Sequence, residues 1–185
     1  MAKMFEKSLM ASEDVQSLLY SGIFYVDDAE AECHNGAIVA RGDMLEDIYG
    51  NPDPNLYKIA APEAATDEVG VVDFVGVSNG DIMGENYREG IKTYGLSAEA
   101  GRAVRVRKLM KGDTGYFSAE NIVGGTANDG DFVVATAGST LLTAKASLTN
   151  DDKKGTYGVV RFAKPIVEGT VETGTKYFVE FINVI

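Results

Sequence analysis

One cysteine and one histidine stand side by side, Cys33 and His34, in the polar stretch "DDAEAECHNG" (27–36). A thiolate and an imidazole are the starting material of nucleophilic catalysis. Neighbours on a loop rarely aim at each other, however, and the chain marks no second base or orienting group. The pair reads as part of a solvated acidic loop. A closed zinc site needs more Cys and His than one of each. The carboxylates offer two clusters: Asp43, Glu46, Asp47 and Asp53 in "RGDMLEDIYGNPDPN", and Asn128, Asp129 and Asp131 in "NDGD". Neither has the spaced ligands and terminal Glu of a calcium loop, and 28 acidic residues make any glycosidase-like pair unremarkable. No glycine-rich phosphate-binding fingerprint occurs. The chain is expected to be a non-enzyme, with no cofactor and no metal.

The chemistry that does stand out is cationic. "GRAVRVRKLMKGDTGYFSAENI" (101–122) gathers Arg102, Arg105, Arg107, Lys108 and Lys111 on one short segment of an acidic chain. Strand alternation puts Val104 and Val106 on one face and Arg105 and Arg107 on the other. A bulge near 107–109 is expected, because simple alternation would send Lys108 inward and Leu109 outward. Two roles fit this face. It offsets nearby acids, or it is an interface, since the planar arginine fork pairs carboxylates bidentately and arginine is enriched at protein contacts.

These residues need a scaffold, and the composition sets its type. A chain of 185 residues buries enough surface for a core without disulfide or metal staples. Its 21 glycines are spread between apolar runs, which points to many turns joining short strands. The net charge of −11 repels phosphate backbones, so nucleic acid is not expected as a partner. No stretch has the length of a membrane span or a signal peptide, and a single cysteine forms no internal disulfide; a protein made in a cytoplasm, with no membrane partner, is expected.

Along the chain, 1–22 reads as an N-terminal arm or a short helix capped near Ser12 and running to Tyr20. Met4, Phe5 and Leu9 are its candidate contact residues. A β-rich lobe is expected over 23–95, with loops at Pro52, Pro54 and Pro62 and a long turn-rich stretch at 78–90. From 96 to 185, strands and glycine or aspartate turns alternate regularly, as in a barrel or sandwich; "EGTVETGT" (168–175) reads as one of the turns. The fold class is therefore mainly β, a β-barrel or β-sandwich, two small lobes being one form of it. The last strand, "KYFVEFINVI", is apolar on both faces: Tyr177, Val179, Phe181 and Ile185 on one, Phe178, Ile182 and Val184 on the other. Such a strand is either central in a doubly covered sheet or covered by another subunit.

The stretches "NLYKIAAPEAATDEVGVVDF" (55–74) and "ENYREGIKTYGLSAEAGRAVRVRKLMKGDTGYFSAENI" (85–122) resemble small structural proteins of tailed bacteriophages. The shared features are an apolar strand exit at "YKIAAP", a "YREG" loop and an "AGRAVRVRKLMKGD" strand and turn. The role this resemblance implies is that of a capsid decoration, or cement, protein. Such a protein sits on the outer capsid surface of the virion as a homotrimer, contacts the major capsid protein and bridges capsomers. Tail, baseplate or head-fibre structural proteins are the nearest alternative. A carbohydrate-binding β-sandwich using Tyr49, Tyr57, Tyr87, Tyr94 and Tyr116 is a second, weakened by the absence of Trp.

Overall fold

The computed structural model describes residues 3, 5–46, 49–64, 66–74, 97–168 and 171–185. The chain is mainly β, with fifteen strands and no helix longer than three residues among the described residues. Five strands close a ring: β2 (Leu19–Val26), β5 (Ile38–Glu46), β6 (Pro52–Ala60), β7 (Val69–Phe74) and β9 (Val104–Lys108) pair in the order β2-β6-β5-β7-β9, and β9 returns to β2. Two short strands, β3 (Ala29–Glu30) and β4 (Cys33–His34), follow β2. The first continues a hairpin with β2, and the second pairs with β8 (Ser97–Ala98). A separate seven-stranded sheet contains β1 (Phe5–Leu9), β10 (Thr114–Ser118), β11 (Ile122–Val123), β12 (Phe132–Ala135), β13 (Leu142–Lys145), β14 (Tyr157–Glu168) and β15 (Val171–Asn183), in the order β1-β10-β15-β14-β12-β13-β11.

Period-two alternation builds two cores from these strands. Val39, Ile59, Val72, Val104, Val106 and Phe24 fill the ring, with Cys33 and Ala98 of the β4–β8 pair packed against them. The opposite faces of β5 and β7 turn Ile38, Val69 and Val71 outward. There they meet Phe117, Val160, Tyr177, Val179 and Phe181 from the sheet, in a second core. The sheet thus packs on the flank of the ring in a sandwich-like arrangement, with β5 and β7 serving both cores.

The N-terminal segment differs from the expected helix. Met10 supplies no side-chain cap, Val15 is extended at φ −119° and ψ 98°, and two single 3-10 turns replace the helix before β2 begins at Leu19. The would-be cap, Ser12, is fully buried, and its hydroxyl accepts a hydrogen bond from Arg107 at 3.0 Å. Ahead of the turns, β1 lies on β10 with Phe5 opposite Phe117, their ring centroids 4.8 Å apart. Gly115 makes this possible: a Cβ there would stand 2.5 Å from the Phe5 ring. Two other expectations are corrected. Pro52 and Pro54 lie in β6, in the part that precedes the β2 ladder, which starts at Leu56, so among the described residues this end of the strand is paired on the β5 side alone. The described residues of 168–175 are strand, because β14 and β15 continue their ladder to Glu168↔Val171. The turn-rich stretch 78–90 lies outside the described residues.

Candidate functional site

The β9 arginines point as alternation requires, but into the molecule's own contacts. The bulge expected on β9 sits instead on its neighbour. Val72 pairs with Val106 and Phe74 with Arg105, which leaves Asp73 as the extra residue on β7. Its carboxylate receives both guanidinium groups: Arg107 Nε at 2.5 Å and Arg105 Nη2 at 2.8 Å. Leu109 needs no bulge of its own, since the side of β9 that faces away from the ring's interior lines the second core, where Leu109 is fully buried. The Arg107 side chain is 4% exposed and that of Asp73 is 7% exposed, so Arg107 is not an interface residue. It is a buried clamp joining β7, β9 and, through Ser12, the N-terminal segment. Arg105 keeps 43% of its side chain exposed, and Lys108 pairs with Glu68 at 2.9 Å. Arg102 and Lys111 lie at either end of the segment, Arg102 part-exposed and Lys111 exposed in the turn. Of the arm residues, Phe5 is 2% exposed and belongs to the core, whereas Leu9 is 68% exposed; Met4 lies outside the described residues.

That turn is itself tied to the N-terminal segment. The Asp113 carboxylate accepts the Met110 N–H at 2.9 Å and the Ala11 N–H at 2.8 Å. Burial pushes its carboxyl above the usual carboxylate range, against the opposing pull of those two amides and of Arg107.

A different set of residues faces solvent from the sheet. On β15, Tyr177, Val179 and Phe181 enter the core, so Phe178, Glu180 and Ile182 take the outward side. On β10 the outward residue between Gly115 and Phe117 is Tyr116, paired with Phe178 across the ladder. On β14 a bulge at Arg161 resets the phase after Val160, so that Phe162 comes opposite Phe178 instead of entering the core. The result is an aromatic array. Phe162 and Phe178 stack at 4.8 Å with planes 7° apart, and Tyr116 tilts against Phe178 at 5.0 Å. Two lysines lie over it. Lys176 Nζ is 4.7 Å from the Tyr116 ring centre and 2.5 Å from Glu6. Lys164 Nζ is 5.1 Å from the Phe162 ring and 5.5 Å from that of Tyr116, and donates to the Tyr116 hydroxyl at 3.4 Å. Among the described residues no carboxylate lies within 4 Å of Lys164 Nζ. Arg161 pairs with Glu180 at 2.7 Å beside the array, and Phe132 on β12 and Tyr157 on β14 form a separate edge-to-face pair at 6.2 Å.

Sequence reasoning placed the cationic surface on β9, named Tyr116 as a sugar-stacking candidate, set Phe178 on the second apolar face of the last strand, and missed Phe162, Lys164 and Lys176. The signal was the two-faced apolar character of the last strand, whose outward half is this array.

The remaining candidates are occupied by structure. Cys33 is 2% exposed, and burial pushes its thiol up to about 12, far from a nucleophilic thiolate at neutral pH. Burial also lowers the His34 imidazole below its usual range. The Asp131 carboxylate closes its own turn on the Asn128 amide groups at 2.8 and 3.0 Å. Arg41 of "RGD" lies over Tyr57 and Tyr20, 5.0 and 5.6 Å from the ring centres. Tyr49 is 82% exposed, and Tyr87 and Tyr94 lie outside the described residues. Compared with family models, curated proteins and solved structures, the chain matches none.

Proposed function

We propose that this chain is a structural virion protein that binds the outer surface of a tailed-bacteriophage head and stabilises the capsid by bridging capsomers. It works as a homotrimer, by contact and without catalysis. The observation that carries the reading is the outward face of the seven-stranded sheet. Phe162, Phe178 and Tyr116 are held in a rigid ladder with lysines above them, on a strand whose sequence calls for cover on both sides. Exposed aromatic rings are enriched at protein contact surfaces, and the lysine stems lie along these rings while their ammonium groups stay in water. The resemblance of residues 55–74 and 85–122 to phage structural proteins supplies the setting.

Sugar binding is the weaker reading for the same face. Phe162 and Phe178 spend a face each on one another, and lysines stand over Phe162 and Tyr116, which leaves these rings poorly placed to stack on a pyranose. A decoration contact of about 800 Å² per partner is modest alone, but three linked subunits in register with a lattice bind with strong avidity. Immunogold electron microscopy of virions tests the assignment. Label distributed over the head supports it; label confined to the tail, or a virion without the protein, refutes it.

A further inference from the structure

We propose that the aromatic and lysine face of the seven-stranded sheet receives the acidic β2–β3 hairpin of a second copy of this chain. The inference rests on reading that face as a docking surface, and it names the occupant.

The argument is charge complementarity between two preformed surfaces. On the sheet, Lys164 lies over two rings and has no carboxylate within 4 Å among the described residues, with its cross-strand partner Lys176, itself paired with Glu6, over the same Tyr116 ring. Ammonium groups over aromatic faces in a part-dried site attract carboxylates more strongly than free surface lysines do. The hairpin presents the matching sign. Asp27, Asp28, Glu30 and Glu32 are all exposed. Their backbone is fixed, because β2 and β3 pair Tyr25 with Glu30 and Val26 with Ala29 around a two-residue turn. Asp27 and Asp28 occupy that turn at φ 49° and 61°, the left-handed geometry of a type I′ hairpin, which asparagine and aspartate adopt more readily than other side chains. Lys58 braces the turn through Asp28 and lies 5.0 Å from the Tyr25 ring, leaving Asp27, Glu30 and Glu32 without a lysine or arginine partner among the described residues. A narrow, rigid, acidic edge of this kind suits a flat face that offers Lys164 over its rings, and little ordering entropy opposes its docking.

The two surfaces lie on different parts of the chain, the hairpin on the ring and the array on the sheet. Their contact is therefore head-to-tail, the kind that closes into a ring of copies when the rotation between them allows, and a trimer is one such ring.

Charge reversal of each side tests this with full-length protein. The variants are Lys164→Glu on the sheet, and Glu30→Lys with Glu32→Lys on the hairpin; both leave the turn and the core untouched, and circular dichroism confirms folding. In sedimentation equilibrium at low salt, wild-type protein is expected to self-associate. Each variant alone is expected to lose about tenfold or more in association constant, since like charges now face each other. An equimolar mixture of the two variants is expected to regain association as mixed pairs, because a mixed contact again joins opposite charges, but not to close rings of three, in which one contact always joins two copies of the same variant. A monomeric wild-type protein, full association by either variant alone, or a mixture that stays dissociated would each overturn the proposal. So would a Lys164→Glu variant that keeps self-association and loses only its binding to phage heads, which would assign the face to the shell protein. Any of these results with wild-type label still over the virion head leaves the decoration role standing, so the two readings fail separately.

Discussion

The chain has two concentrations of positive charge on β-strands, and they are built in opposite ways. On β9, Arg105 and Arg107 converge on the one carboxylate of Asp73, with Arg107 buried and bonded also to Ser12. On the outward face of the seven-stranded sheet, Lys164 and Lys176 stand over aromatic rings at the surface. The first is a fastening inside the fold. The second ties Lys176 to Glu6 and leaves Lys164 available to another molecule. Charge counted along a sequence does not separate these cases, because the deciding feature is where the nearest carboxylate sits in three dimensions.

The largest expected effect breaks the fastening. Asp73→Ala leaves the Arg107 guanidinium buried with only the Ser12 hydroxyl, which is expected to cost about 3–5 kcal/mol of folding stability, read as a lowered denaturant midpoint. A charge reversal at Arg105 and Arg107, which would spare the fold if both side chains served only an interface, is expected to destabilise it through Arg107. On the sheet the balance is reversed. Phe162→Ala with Phe178→Ala removes a stacked pair from a half-exposed face, at a stability cost of about 1–2 kcal/mol, while self-association or head binding falls by about tenfold or more. A double variant that docks normally would reduce the array to surface packing.

Asp113 gives a smaller, pH-dependent effect. Because burial raises its carboxyl in the folded state, folding is favoured by protonation there. Its contribution is fully present below the unfolded carboxylate range and is lost as pH rises through the raised folded value. Comparing denaturant midpoints of wild type and Asp113→Asn between pH 3 and 7 should show wild type gaining stability on acidification relative to the variant. An identical pH profile for the two would contradict the assignment. Arg105→Ala is the smallest change. The side chain is 43% exposed and Asp73 retains Arg107, so a loss of about 1 kcal/mol or less is expected by the same midpoint measurement.

The mainly β class was legible because turn clusters punctuate apolar runs at strand length, and the alternation of Val104 and Val106 against Arg105 and Arg107 was legible for the same reason. What escaped depends on distant partners. The strand β1 is five residues long and is recognisable only from β10: the Leu9 amide donates to Thr114 Oγ1 at 3.0 Å, across 105 residues of sequence. The apparent cap at Ser12 serves an arginine 95 residues away. Bulges leave no composition signal of their own, so the one at Asp73 was expected on the wrong strand and the one at Arg161, which turns Phe162 outward, was not expected at all. The last strand shows the converse. Its two apolar faces called for two covers, and the described residues supply one.

The most direct test of the other cover is lysine acetylation footprinting of the assembled protein, comparing Lys164 with Lys153, an exposed lysine in a turn away from the array. If the sheet's outward face is the docking surface, Lys164 is strongly protected in trimers or on heads while Lys153 reacts as it does in dissociated protein. Equal reactivity of the two lysines in the assembled state would contradict it.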